Sequence, residues 1–106
     1  MIYEKHILKS GIEVEVRGRT YAEWEAAEER QASAFAQLLE SVKENPRPVI
    51  MAEHEGRALG NKLVAEKLAL CVNGWDELKE KLPLRDVAEL KKLIDSLEGP
   101  EVEEKN

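Results

Sequence analysis

The stretch that most constrains this chain is residues 62–78, KLVAEKLALCVNGWDEL, its densest apolar segment, which carries both a stop signal and a tryptophan. Leu59, Leu63 and Leu70, flanked by Val64, Leu68 and Cys71, recur at spacings of three and four, the signature of one wide helical face. Ala65, Ala69 and Val72 fill much of the remaining circumference, so the pattern predicts a central helix covered on two sides. A fully buried Leu contributes about 2 kcal/mol. Such a segment can therefore supply a large share of the several kcal/mol that stabilise a domain of this size. Asn73-Gly74 ends the helix, because these residues most readily take the left-handed C-terminal conformation.

A chain of 106 residues is long enough for a single core and short of the size at which chains divide, so one domain is expected over 1–99. Residues 100–106 read as a disordered acidic tail too polar to pack. Charged residues make up 36% of the chain and apolar ones 42%, which describes a folded protein with a heavily solvated surface. The net charge of -6, with no basic cluster, argues against nucleic acid as a partner, since neutralising phosphates needs a Lys/Arg patch. One cysteine makes no internal disulfide, and Cys71 on an apolar helix reads as a small buried hydrophobe in a reducing compartment. No signal peptide and no apolar run of membrane-spanning length stand in the sequence, so the expected location is the cytoplasm, with no membrane partner.

From the N-terminus, Ile12, Val14 and Val16 alternate with Glu13, Glu15 and Arg17, a strand with one buried face. With Ile2, Tyr3, Ile7 and Leu8 before the Ser10-Gly11 turn, they predict a β-hairpin. A two-stranded hairpin is marginal by itself and leans on its own helices or on a second copy, so a homo-oligomer is one assembly open to the chain. Thr20 and Glu23 form a capping box that opens a helix at Tyr21. Trp24, Ala27, Ala34, Phe35, Leu38, Leu39 and Val42 form its stripe, and Asn45-Pro46-Arg47-Pro48 stops it. The segment from Val49 to Glu55 is compatible with either an extended stretch or a first helical turn. Asp86 with Glu89 reads as a second capping signature. Val87, Leu90, Leu93, Ile94 and Leu97 form the narrow stripe of a terminal helix closed by Gly99-Pro100. The fold class that results is mainly α, a small domain of three to four helices with a short N-terminal β-hairpin.

No catalytic, cofactor-binding or metal-binding motif survives scrutiny. His54-Glu55 begins like a zinc-protease signature, but Ala58 stands where the second His must be. Gly56, Gly60 and Lys62 resemble a phosphate loop only loosely, because the glycines are too close and no Ser or Thr follows the Lys. His6 has no triad partner, and Asp86 and Glu89 at a helix start fit capping better than acid–base work. The chain therefore reads as a non-enzyme without cofactor or metal.

One order of motifs carries a resemblance. Val14-Glu15-Val16-Arg17-Gly18 leads to Thr20-Tyr21-Ala22-Glu23-Trp24 and an Ala/Glu-rich helix. Leu70-Cys71-Val72-Asn73-Gly74-Trp75, Leu82-Pro83-Leu84 and a final short helix follow. From about Ile12 to Leu97 this layout resembles that of the tail assembly chaperones of long-tailed phages and prophages. The resemblance implies a non-enzymatic protein of the host-cell cytoplasm that keeps the tape measure protein soluble and brings tail tube protein to it. A holding chaperone needs apolar surface for a helical client and enough charge to stay in solution. The candidate contacts are Trp24, Phe35 and Leu39 on the long helix and Val87, Leu90, Ile94 and Leu97 on the terminal stripe. Two alternatives use the same helices: a structural head-tail connector or completion protein, and a cellular helical adaptor module.

Overall fold

The computed structural model describes residues 2–99, so the tail expected at 100–106 lies outside the described residues. The order of elements is β1 (Glu4–Ile7), β2 (Glu13–Val16), α1 (Tyr21–Glu44), α2 (Val49–Cys71), the short α3 (Trp75–Leu78) and α4 (Leu84–Leu97). The mainly helical class with an N-terminal hairpin is thus what the chain adopts. The contacts fall into two compact units: residues before Thr20 together with those after Glu66, and Thr20–Glu66. Their boundary falls inside α2.

The first unit holds the core. β1 and β2 pair antiparallel, Glu4 opposite Val16 and Ile7 opposite Glu13. Gly11 closes the connection at φ +95°, a backbone region that an L side chain rarely adopts, with its N–H donating to the Leu8 carbonyl at 2.8 Å. The alternation of β2 works as the sequence predicts: Val14 and Val16 are buried, and Glu13 and Glu15 are not. The other edge of β2 is held by the chain leaving α2. Arg17 N–H donates to the Cys71 carbonyl and Asn73 N–H to the Glu15 carbonyl, each at 2.9 Å, while the Asn73 side-chain amide donates to the Glu15 carboxylate at 2.7 Å. The expected helix stop is therefore also a strand-pairing element, with Gly74 at φ +70° turning the chain into α3.

Leu8, Val14, Val16, Leu68, Cys71, Val72, Leu90 and Ile94 form this core. Cys71 is fully enclosed, and burial, with the nearby Glu98 charge, raises its thiol pKa against the opposing pull of Arg17, Arg19 and Lys67; it acts as a small hydrophobe. The central-helix expectation is corrected here. Of its apolar positions only Leu68, Cys71 and Val72 are buried; Leu59, Leu63 and Val64 are half-buried, and Ala65, Ala69 and Leu70 are exposed. Regular spacing defines a face on α2, and only its last turn has a core to enter.

Asp86 and Glu89 also depart from expectation. α4 begins at Leu84 after Pro83 at the N-cap, with no side-chain cap. Asp86, almost wholly buried, instead accepts from the Ser10 hydroxyl at 2.6 Å, and Glu89 accepts from the Lys9 backbone N–H at 3.1 Å. The pair clamps the β1–β2 turn onto α4. At the other end of α4, Glu98 receives Arg19 through its backbone N–H (2.9 Å), Nε (2.7 Å) and Nη2 (2.9 Å), with Lys67 Nζ at 3.6 Å. A Cβ on Gly18 would stand 3.1 Å from the Glu98 Cγ and 3.3 Å from the Leu97 carbonyl oxygen, so a side chain here would have to push its neighbours back by a few tenths of an ångström.

Candidate functional site

The second unit is built from α1 and the 49–66 part of α2. α1 starts on the predicted capping box, Glu23 N–H donating to Thr20 Oγ1 at 3.2 Å and Thr20 N–H to the Glu23 carboxylate at 2.9 Å. Its 24 residues give it a length of about 36 Å. α2 opens directly after Pro48, whose carbonyl accepts from the N–H groups of Met51 and Ala52; the Val49–Glu55 segment is therefore helical. Arg47 fixes the connection between the helices. Its guanidinium donates to both carboxylate oxygens of Glu55 at 2.7 Å, to the Asn45 carbonyl at 2.7 Å and to the Ser41 hydroxyl at 3.1 Å. The hydrogen bond from Arg47 is the main reason that the Glu55 pKa is lowered and that of Arg47 raised.

The helices run antiparallel. Arg30 meets Glu66 at 3.7 Å, and the site of a Cβ on Gly56 is 3.8 Å from a Leu38 methyl, so ascending positions on α1 face descending ones on α2. Ala27, Ala34, Phe35, Leu38 and Val42 on α1 and Ala52, Gly56, Leu59 and Leu63 on α2 are all half-buried, and the Gly56–Leu38 approach lies among them. No residue from Thr20 to Glu66 is buried. A helix in a protein draws most of its stability from packing an apolar face, and here that face is only half covered.

The hairpin has two unlike edges. Arg30 and Ser41, with the partners they reach on and before α2, lie on one edge of α1. Trp24, Phe35 and Leu39 lie on the other, within about 60° of one another at the helical period. Trp24 is 41% exposed and Leu39 65%, and the Trp24 ring stands 5.7 Å from that of Tyr21, itself largely exposed. Gly60 on α2 has open space where a Cβ would be. Trp24 and Leu39 are thus exposed along one side of α1, with Phe35 half-buried between them.

The terminal stripe is a different matter and the expectation for it is corrected. Leu90 and Ile94 have no exposed surface, and Val87 and Leu97 are half-buried. The narrow spacing that resembled a docking surface is the inward face of α4. The sequence reading missed Val49, Ile50 and Met51, exposed at the start of α2, because Pro46 and Pro48 obscured that a helix begins there.

Comparison with protein-family models, with curated proteins and with solved structures finds no match. Among the described residues no group of three His, Cys, Asp or Glu side chains is placed to hold a metal ion, and no helix is long and apolar enough to cross a membrane. A concavity of about 460 Å³ is lined by Lys9, Ser10, Arg85, Asp86, Ala88, Glu89 and Lys92. Its two carboxylates accept from the Ser10 hydroxyl and the Lys9 backbone N–H.

Proposed function

We propose that the chain is a non-enzymatic holding protein that receives an amphipathic helix of another protein on the Trp24–Phe35–Leu39 strip of its helical hairpin. The observation that carries this reading is the hairpin itself: two helices of 24 and 23 residues, with large apolar side chains exposed along α1 and no buried residue between Thr20 and Glu66. A third helix lying in such a groove supplies the missing cover, the helix-in-groove mode of recognition. That activity is the one a tail assembly chaperone exerts on the tape measure protein in the cytoplasm of its host before tail tube protein assembles, and the motif resemblance supports this role for the chain.

The test is a solubility assay with a tape measure protein as client. Light scattering by the client should fall when the chain is added in equimolar amount, and Leu39→Lys should abolish the effect while leaving the circular dichroism spectrum unchanged. Undiminished scattering with the wild-type chain, or full protection by the folded Leu39→Lys variant, overturns the reading.

A further inference from the structure

The charge around the strip specifies its occupant. Between Thr20 and Glu66 the chain carries nine Glu against five Lys and Arg, a local charge of -4. Two of the five cations are already committed inside the hairpin, Arg30 to Glu66 and Arg47 to Glu55. Glu25, Glu28 and Glu29 are exposed and make no ion pair among the described residues. Glu28 lies on the same strip as Trp24 and Phe35, and Glu25 and Glu29, four apart, repel each other in the free helix. The half-exposed Trp24 indole offers a face for a cation beside these carboxylates.

We propose that the helix received by this strip is cationic, an amphipathic helix of a different protein whose Lys or Arg residues flank its apolar stripe and meet Glu25, Glu28 and Glu29. The inference rests on the helix-binding reading above and names the chemistry of the partner. A second copy of the chain brings the same acidic strip against itself, and like charges juxtaposed across an interface oppose association. A basic helix relieves the repulsion within α1 and is steered to it.

The experiment uses the full chain with Trp75→Phe, so that Trp24 is the only indole, and two synthetic helices of about three heptads with Leu at a and d and either Lys or Glu at e and g. Trp24 fluorescence is titrated with each at low salt and at about 0.5 M salt, where exposed charges are screened. The Lys helix should bind at least about tenfold more tightly than the Glu helix, a preference that salt screens. Replacing Glu25, Glu28 and Glu29 together by Gln should remove the preference, and Leu39→Lys should abolish binding. Equal affinity for both helices, or preference for the Glu helix, overturns the charge assignment while leaving helix binding standing. Binding of neither helix, or a concentration-dependent dimer that excludes both, overturns the two together. Undiminished binding of the Lys helix to Leu39→Lys places the contact elsewhere and overturns the site.

Discussion

The two compact units spend similar apolar patterns in opposite ways. In the first, four-residue strands and a 14-residue helix enclose Val14, Val16, Leu90 and Ile94 almost completely. In the second, the 24 residues of α1 and the 49–66 part of α2 include no buried residue, and Phe35, Leu38 and Leu63 stay half-covered. Element length therefore does not measure stability. What separates the units is how far an apolar face is covered, nearly completely in the first and by half in the second.

The sharpest way to break this comparison is to truncate matching positions. Leu90→Ala, which opens a void in the covered unit, should cost about 2–5 kcal/mol in urea denaturation, whereas Leu39→Ala should stay within about 0.5 kcal/mol because its side chain already meets water. Equal costs would erase the distinction. Next, Asp86→Ala removes the acceptor of the Ser10 hydroxyl at an enclosed site and should cost about 1–3 kcal/mol, seen as a lower urea midpoint. A loss of only a few tenths would mean that the Ser10–Asp86 hydrogen bond adds little to the covered unit.

Glu98 sharpens the same contrast through pH. Burial pushes its pKa up, but the hydrogen bonds from Arg19 and the charges of Lys67 and Arg19 outweigh that, so the folded value is lowered. Its contribution is therefore complete above the unfolded carboxylate value of about 4.3 and is lost as pH falls through the folded value. Glu98→Gln should flatten the acid limb of a stability–pH profile and lower thermal stability at pH 7. The smallest effect among the stabilising groups belongs to the hairpin: Thr20→Ala should cost about 1 kcal/mol by unmaking the capping box, read as reduced helicity at 222 nm.

Much of the fold was legible in local chemistry. The Val14/Val16 alternation, the Thr20–Glu23 box, the prolines after Asn45 and the glycine at 74 each determine structure within a few residues, and each behaves as its chemistry predicts. Burial was less legible, because spacing reveals a face and not what covers it. Leu63 and Leu68 belong to one apolar run, yet only Leu68 enters the core. Asp86 and Glu89 have cap spacing, but their partners, Ser10 and Lys9, stand about eighty residues away in the chain. Within the candidate site Trp24, Phe35 and Leu39 were legible as a stripe; that Trp24 and Leu39 remain exposed while Leu90 and Ile94 do not follows from tertiary structure alone.

Amide hydrogen exchange of the full chain, alone and with the Lys-flanked helix, tests the central claim most directly, since protection reports local opening free energy. Amides of residues 34–42 should exchange at least about tenfold faster than those of residues 90–94 in the free chain, and the added helix should slow the former while leaving the latter unchanged. Protection of the hairpin equal to that of α4 without any partner, or no change on adding the helix, would contradict it.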